Sequence, residues 1–458
     1  MDFQRVDAWI DASLKDMEKD LAALIRYPSV EAERSAPNAP FGDAVRGALE
    51  ETLRITERMG LDAHDMDGYC CYADSFGSGD DMVGVLGHLD VVPVTAKDWK
   101  YDPFTMTNED GKLYGRGTMD DKGPMLAALY GLKGLLENGF KPAKTVRFIF
   151  GCNEETGMAC MEHYVAHAPC PSCGFTPDAE WPLIVGEKGI IHYQLKSAWD
   201  AENAAAGPRL LTITAGEAAN VVPAEALAVI RDAGDLPEAD GLSCTTVGRE
   251  TTLTMRGTAA HASAPEEGEN ALAKLLRYLA GLDFAPAGAK KYVDTMARLT
   301  EDELHGAALG VNTADELSVT TNAPTVCRLT ETGGEITLDM RFRLSDTMDR
   351  YFALLAKAAE ENGLSLVKGT AQDPLYLGED NPLAKQLLAG YREVTGDMTE
   401  PLVIGGGTYA KKMKGFLAFG PEPAEGVTRA HQANEYFTET ELLTAAKIYA
   451  RGIYAMAK

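Results

Sequence analysis

Five short polar segments of this 458-residue chain carry side chains that could do chemistry together. They combine imidazoles with carboxylates, a ligand set that suits zinc, manganese or cobalt. A single His-x-Asp or Glu-Glu pair is usually only a solvated loop, so the prediction of a metal site depends on all five segments meeting in the fold. The segments are His88-Leu89-Asp90, Asp120-Asp121, Asn153-Glu154-Glu155, Asp178 and Arg429-Ala430-His431.

Buried strands are predicted directly before two of these segments. Met82–Gly87 is an almost continuous apolar run that ends at His88, and Thr145–Phe150 ends shortly before Glu154. Between them, Pro124–Asn138 has the composition of a helix. This order is typical of a parallel sheet covered by helices on both faces, which binds ligands beyond the carboxyl ends of its strands. We therefore expect the polar segments to meet at that edge.

From about residue 188 onward, apolar and polar residues alternate, as in antiparallel strands with one solvated face. Thr332-Gly333-Gly334 is a hairpin signal within this region. The predicted elements here are strands at Leu210–Thr214, Ala226–Ile230, Thr251–Arg256, Glu316–Thr321 and Glu335–Arg343, and helices at Asn270–Leu282 and Asp349–Asn362.

The buried-strand pattern returns near the end of the chain, at Pro401–Ile404 and Phe416–Phe419. The expected fold is thus an α/β catalytic domain with a mixed, mostly parallel sheet, interrupted by an inserted α+β lid domain of two lobes. We place the catalytic domain at residues 1–187 plus 378–458 and the lid at 188–377. One amphipathic helix is predicted from Phe3 to Leu24, another from Phe41 to Met59, and a last one from Thr438 to Met456.

Charge and composition exclude several classes of function. The chain has 43 Lys+Arg against 69 Asp+Glu, and its net charge of −26 disfavours nucleic acid and anionic membranes as partners. No apolar run approaches the roughly 18 residues of a membrane span, and no signal peptide is apparent, so we expect a cytoplasmic protein. The eight cysteines show no disulfide pattern. The single CxxC, Cys170 to Cys173, is interpreted as reduced thiols, with a redox pair or half a zinc site as alternatives.

Four motifs resemble the M20 metallopeptidase family, and within it the PepV-like dipeptidase subgroup. The resemblance covers essentially the whole chain. The motifs are GHLDVVP at 87–93, GRGTMDDKGP at 115–124, NEETG at 153–157 and HQANEY at 431–436.

The resemblance implies two divalent metal ions, with zinc expected and manganese or cobalt as alternatives. On residue types alone, either acid of each doublet could face the metals, and the family pattern favours the first Asp and the second Glu. Asp120 would bridge the two ions and precede a cis peptide bond. The implied ligands are His88, Asp120, Glu155, Asp178 and His431, with Glu155 and His431 on one ion and His88 and Asp178 on the other.

The same resemblance implies three catalytic residues. Glu154 would act as general base on a water activated by the metals and then pass the proton to the leaving amine. Asp90 would accept a hydrogen bond from the second ring nitrogen of His88. His261, within Met255–Pro265, would donate to the oxyanion of the tetrahedral intermediate, a contribution of about 100- to 1,000-fold in turnover.

Substrate-binding residues are implied as well. Asn220 and Arg341 match positions that hold the C-terminal carboxylate of a peptide, although Arg341 could also be an outward strand residue. Lys411 stands where the family has arginine, so it keeps the charge but loses the bidentate fork. The preceding glycines, 405–407, either bring backbone amides close to the substrate or form a tight turn.

The expected protein is a monomeric dipeptidase that acts on small peptides. The insertion is long enough for two lobes, which in this subgroup replace a dimer partner, so His261 would act within its own chain. An N-acyl amino acid deacylase or a carboxypeptidase of the same family is the alternative. A non-catalytic metal- or peptide-binding protein, or a dinuclear phosphoesterase, is the rival from another class.

Four other features receive no role. His163 and His167 have a zinc-like spacing on a predicted helix but lack the HExxH order, so we interpret them as an exposed helix face. His64, His192 and His305 have no supporting neighbours in the sequence.

Overall fold

The computed structural model describes residues 1–200, 207–423 and 429–458. The chain forms two compact units. The first comprises Met1–Gly186, Tyr376–Leu402 and Thr408–Lys458, and the second comprises Glu187–Leu375 and Val403–Gly407. Among the residues described, no helix has both the length and the apolarity that a bilayer crossing requires.

The first unit is built on a mixed sheet whose four central strands are parallel. Its outer strands pair antiparallel. Strands Met82–His88 and Thr145–Gly151 are buried at every residue except the first, which explains their continuous apolar sequences. The strands lie in the order Asp62–Met66, Cys70–Ser75, Thr145–Gly151, Met82–His88, Cys173–Thr176, Phe416–Ala418 and Ile184–Glu187.

Helices cover this sheet. Helix Lys122–Glu137 is buried along most of its length and packs against helix Glu439–Ala457. Gly131 permits that packing, because a Cβ there would lie 2.8 Å from the carbonyl oxygen of Ala446. The remaining helices of the unit are Phe3–Ala12, Leu14–Ile25, Asp43–Arg58, Ala159–His167 and Pro382–Thr395.

The prediction of one continuous helix from Phe3 to Leu24 is wrong in one respect. The chain bends at Ser13, which separates Phe3–Ala12 from Leu14–Ile25. The Ser13 hydroxyl donates to the carbonyl of Trp9 at 2.8 Å. Serine side chains compete in this way for backbone groups and bend helices, whereas the apolar spacing continues across the bend.

In its described residues, the second unit contains an eight-stranded antiparallel sheet and three α-helices, Ala271–Ala280, Ala287–Leu299 and Met348–Glu361. Sheet and helices share one hydrophobic core. The strands lie in the order Leu242–Val247, Glu250–Arg256, Glu225–Arg231, Arg209–Ala215, Thr321–Thr330, Gly333–Phe342, Gly189–Ala198 and Ser365–Gln372.

The expected change from a central parallel α/β sheet to an alternating antiparallel α+β region is confirmed, as is the hairpin between Thr330 and Gly333. The division of the second unit into two lobes stays a prediction. The predicted strand Glu316–Thr321 is wrong, because the Asp315 carboxylate accepts hydrogen bonds from the amides of Leu317 and Ser318 and holds this stretch in a loop.

A buried ion pair joins two neighbouring strands of the first sheet. Asp74 accepts two hydrogen bonds from Arg147, at 2.8 and 2.6 Å, and both side chains are buried. We expect Asp74→Ala to lower the free energy of unfolding by about 3 kcal/mol, because it leaves an unpaired buried charge. Urea denaturation followed by circular dichroism measures this change.

The exposed pair between Asp232 and Arg249 has the same bidentate form and serves as the control. Arg249→Ala should change the denaturation midpoint little, since solvent screens an exposed pair and the Arg249 side chain is 76% exposed. Equal losses from the two substitutions would contradict the role given to burial.

Candidate metal centre

Three neighbouring parallel strands of the first unit end at the predicted site. Met82–His88 ends in His88 itself, the turn after Thr145–Gly151 carries Glu154 and Glu155, and Cys173–Thr176 is followed by Asp178. Carboxyl ends of adjacent parallel strands share one edge, so these side chains converge there. The expected meeting of the polar segments is confirmed in the fold.

The Asp120 carboxylate lies between two imidazoles. Its Oδ1 is 2.9 Å from Nε2 of His88, and its Oδ2 is 2.9 Å from Nε2 of His431. Glu155 Oε2 lies 3.1 Å from the same nitrogen of His431, and Asp178 Oδ2 lies 3.7 Å from Nε2 of His88. The Asp120 carboxylate thus contacts an imidazole nitrogen of each histidine, and a second carboxylate lies beside each of these nitrogens.

Two overlapping groups of donor atoms result. The ligand atoms of His88, Asp120 and Glu155 lie within 4.8 Å of one another, and so do those of His88, Glu154 and Asp178. Within the described residues, His88 Nε2, Asp120 Oδ1 and Glu155 Oε1 are buried and have no hydrogen-bond partner. An unpartnered buried polar atom costs about 1–3 kcal/mol, and a divalent cation would satisfy all three. The site therefore fits metal ions with nitrogen and oxygen ligands.

The charges of the site oppose the effect of burial. Burial disfavours the charged imidazoles, but the surrounding carboxylates raise the pKa of His88 well above its ordinary value and that of His431 to about 11. Burial likewise disfavours the charged form of Asp120, yet the close contacts and positive charge of the two imidazoles lower its pKa.

At Glu154, burial and the neighbouring carboxylates shift the pKa in the same direction. Burial raises the pKa of its carboxyl well above 4.5, and the charges of Asp178 and Glu155 add to that effect, although His88 opposes it. A carboxyl with a raised pKa can accept and return a proton near neutral pH.

Asp90 contacts the site differently from the expectation. Nδ1 of His88 lies 2.9 Å from the backbone carbonyl of Asp90, whereas the nearest carboxylate oxygen is 3.6 Å away, beyond hydrogen-bond distance. The carboxylate instead accepts the backbone N–H of Glu155 at 3.0 Å. Asp90 therefore orients His88 through its main chain and Glu155 through its side chain.

The structure distinguishes the members of the two acidic doublets. Asp120 faces the imidazoles, whereas Asp121 accepts the backbone N–H of His88 at 3.2 Å. Glu155 faces His431, and Glu154 lies with His88 and Asp178. The peptide bond between Asp120 and Asp121 is cis, as the resemblance implies.

Two motif residues to which the sequence assigns no role, Glu435 and Asn153, contact segments that carry the candidate ligands. Glu435 is buried and contacts the backbone around Asp120. The Asn153 amide donates to Glu31 at 2.8 Å, and its oxygen accepts the N–H of Ala159 at 2.8 Å, which fixes the turn that carries Glu154. Their positions inside motifs with metal ligands were the available signal.

Asn220, His261 and Arg341 belong to the second unit, and Lys411 belongs to the first. The carbonyl of Asn220 accepts the N–H of Ala262 at 2.9 Å, so Asn220 and His261 are neighbours. Lys411 lies in the short 3₁₀ helix Tyr409–Lys412, where its N–H donates to the carbonyl of Thr408 at 3.2 Å.

Arg341 is held rigidly on its strand. Its Nε and Nη2 donate to the carboxylate of Asp339 at 2.6 and 2.7 Å, and its Nη1 donates to the carbonyl of Gly405 at 2.9 Å. Arg341 is therefore a buried residue and not an outward strand residue. Nε2 of His192, to which the sequence assigns no role, also lies 2.9 Å from Asp339.

Gly405 links Arg341 to the segment of His261. A Cβ at Gly405 would lie 2.6 Å from the Cβ of Ser263, and only glycine allows this approach. Ser263 in turn contacts His261, with its Oγ 2.7 Å from Nδ1 and its N–H donating to the same nitrogen at 3.2 Å. Within the second unit, His261 and Arg341 are thus connected through two residues.

Of the two histidines set aside in the sequence, His167 is exposed and His163 is half-buried. His163 and His167 stack on each other 4.3 Å apart on helix Ala159–His167, and neither belongs to a ligand group among the described residues. All eight cysteines are free thiols, including Cys170 and Cys173.

An α/β unit whose parallel strands end in imidazoles and carboxylates, one of them a carboxyl with a raised pKa, is built like a metal-dependent hydrolase. Residues 84–455 match peptidase family M20/M25/M40. The chain belongs to this family.

Relatives align over almost the whole chain. The YtjP protein of Bacillus subtilis (strain 168) is 33% identical over 459 residues, which cover 97% of this chain and 98% of that protein. The Beta-Ala-Xaa dipeptidase of Lactobacillus delbrueckii subsp. lactis is 32% identical, and the alignment covers 98% of this chain and 96% of that protein. The crystal structure of human carnosine dipeptidase 1 has the same fold, with a TM-score of 0.58 and 14% identity. The match covers 99% of this chain and 98% of that one.

Protons and metal ions should compete for this site. The pKa values of His88 and His431 in the folded protein are raised above 6.5, that of His431 to about 11. The protonated imidazoles therefore stabilise the folded state fully below pH 6.5, and this stabilisation is lost as the pH rises toward about 11. We expect the Tm of metal-free protein to fall between pH 6.5 and about 9. Metal requires neutral imidazole and should remove this dependence.

Scanning calorimetry of chelator-treated and metal-loaded protein at several pH values measures the effect. Parallel Tm profiles for the two forms would contradict the proposed competition.

Proposed function

We propose that this protein is a metal-dependent dipeptidase that hydrolyses the peptide bond of short peptides with a free C-terminal carboxylate. The observation that carries the proposal is the Asp120 carboxylate, which presents its two oxygens to two different imidazoles at 2.9 Å each. This arrangement suits a carboxylate that bridges two metal ions. The dipeptidase names of relatives that align over nearly the full chain support the substrate class.

The metal ligands in this proposal are those implied by the family motifs. Asp120 would bridge, Glu155 and His431 would hold one ion, and His88 and Asp178 would hold the other. When bound, two such ions lower the pKa of a water molecule and polarise the scissile carbonyl. We propose zinc, with manganese or cobalt as alternatives that the same ligands accept.

Glu154 would move the proton. Its carboxylate takes a proton from the attacking water, and its raised pKa lets it hold that proton at neutral pH. The same carboxyl then gives the proton to the nitrogen of the leaving amine as the C–N bond breaks. Asp90 fixes the amide of the adjacent Glu155 and so holds this turn in place.

His261 would donate to the oxyanion. Ser263 donates its backbone N–H to Nδ1 of His261, so Nδ1 is an acceptor and the proton of the neutral ring lies on Nε2. An Nε2–H donor is what an oxyanion requires.

Arg341, Asn220 and Lys411 would bind the substrate. Asp339 accepts hydrogen bonds from Nε and Nη2 of Arg341, and the Gly405 carbonyl accepts one from Nη1, so the guanidinium plane is held in place. The remaining N–H groups of the two Nη atoms would bind the C-terminal carboxylate. We further propose a cytoplasmic monomer in which residues 188–377 form a two-lobed lid on a catalytic domain of residues 1–187 and 378–458. The net charge of −26 supports a freely dissolved enzyme without nucleic-acid partners.

Replacing the proposed base separates proton transfer from metal binding. Glu154→Ala should retain two metal ions per chain and lower kcat by about 100- to 10,000-fold, the range typical of a lost general base. Steady-state kinetics and elemental analysis of the same preparation provide both values. Glu162→Ala, on the exposed face of the next helix, is the control and should keep wild-type turnover. Unchanged turnover in Glu154→Ala would refute the assignment.

A substrate panel tests the function itself. We expect dipeptides to be cleaved faster than tripeptides or N-acetyl amino acids, and chelation to abolish all cleavage until zinc, manganese or cobalt is restored. Chromatography of the products identifies the bond that is broken. Cleavage that resists chelators would overturn the mechanism, and a preference for N-acetyl amino acids would favour the deacylase alternative.

A further inference from the structure

We propose that Glu435 is a positioning residue of the metal centre, which fixes the backbone of Asp120 relative to His431. The inference rests on the proposed function, since it assumes that these two residues bind metal. The buried Glu435 carboxylate would thereby fix the distance between Asp120 and His431, which are far apart in the sequence.

The Glu435 carboxylate is 1% exposed and surrounded by donors. Its Oε1 accepts the backbone N–H groups of Gly117, Met119 and Asp120 at 3.0, 2.7 and 3.2 Å. Its Oε2 accepts Nη1 of Arg116 at 2.6 Å, and Arg116 is itself buried. Four hydrogen bonds therefore tie this one side chain to the segment that ends in Asp120.

The backbone of the segment is shaped for this contact. Gly117 has a φ of +92°, in the left-handed region that favours glycine. The turn at this position lets several N–H groups point toward one oxygen, as in backbone anion-binding nests. The ligand of this nest is an internal carboxylate, and the last N–H of the nest belongs to the bridging residue Asp120.

Glu435 is also rigidly connected to His431. The two are separated by three residues, of which Asn434 accepts the N–H of Lys100 at 2.6 Å and donates to the carbonyl of Asp98. Directly after Glu435, strand Tyr436–Thr438 pairs with Lys112–Tyr114. The ladder and the carboxylate together hold the His431 segment beside the Asp120 segment.

A substitution by glutamine removes one acceptor without changing size. If the remaining oxygen faces the three backbone N–H groups, the new NH₂ group faces the guanidinium of Arg116. In the opposite orientation the NH₂ group faces the backbone donors. Either way a donor opposes a donor, and the segment that carries Asp120 must shift.

The experiment measures metal binding and not only activity. Cobalt(II) is titrated into metal-free wild-type protein and the Glu435→Gln variant, with calorimetry for affinity and visible absorption for ligand geometry. We expect cobalt affinity to fall by about 10- to 100-fold, the usual effect of losing a group that orients a metal ligand, and the absorption spectrum to change. Glu435→Asp keeps the charge and withdraws the carboxylate by one methylene, and it should also weaken binding if the glutamine variant fails to fold.

Asp74→Asn is the matched control, since Asp74 is another buried carboxylate paired with a buried arginine. It should lower the Tm but leave cobalt affinity and spectrum unchanged. Wild-type affinity and spectrum in both Glu435 variants would overturn the inference while leaving the proposed function intact. Failure of the wild-type protein itself to bind two cobalt ions would instead refute the proposed function.

Discussion

The site depends on one carboxylate that lies between two imidazoles. Asp120 can contact both His88 and His431 only if its own segment and that of His431, more than 300 residues apart in the sequence, are held side by side. Both imidazole rings must also be fixed in orientation. The surrounding contacts do this. Asp121 and the Asp90 carbonyl hold His88, whereas Glu435 holds the Asp120 backbone.

The same cluster is unfavourable without a cation. Several carboxylates meet at one sheet edge, and the buried atoms His88 Nε2, Asp120 Oδ1 and Glu155 Oε1 lack hydrogen-bond partners. The carboxylates also raise the pKa values of the imidazoles above their ordinary range. Such an arrangement is stabilised when a divalent ion replaces the protons. Membership of peptidase family M20/M25/M40 agrees with this chemistry.

Much of this arrangement could be predicted from the sequence, because buried parallel strands are continuous apolar runs and their polar ends identify one edge of the sheet. Met82–His88 and Thr145–Gly151 illustrate this. Contacts without a local pattern could not be predicted. Glu435 binds Arg116 across 319 residues of sequence, and Asp90 acts on His88 through its carbonyl, which no side-chain pattern reveals. The prediction of a strand at Glu316–Thr321 was wrong because the Asp315 carboxylate accepts hydrogen bonds from backbone amides of this stretch, which a strand would use for pairing.

Anomalous diffraction at the zinc absorption edge, from crystals of zinc-loaded protein, shows whether Asp120 bridges two metal ions. We expect two anomalous peaks per chain, one beside each oxygen of the Asp120 carboxylate, the first near His88 and Asp178 and the second near Glu155 and His431. A single peak, or two peaks that do not share Asp120, would contradict this bridging role.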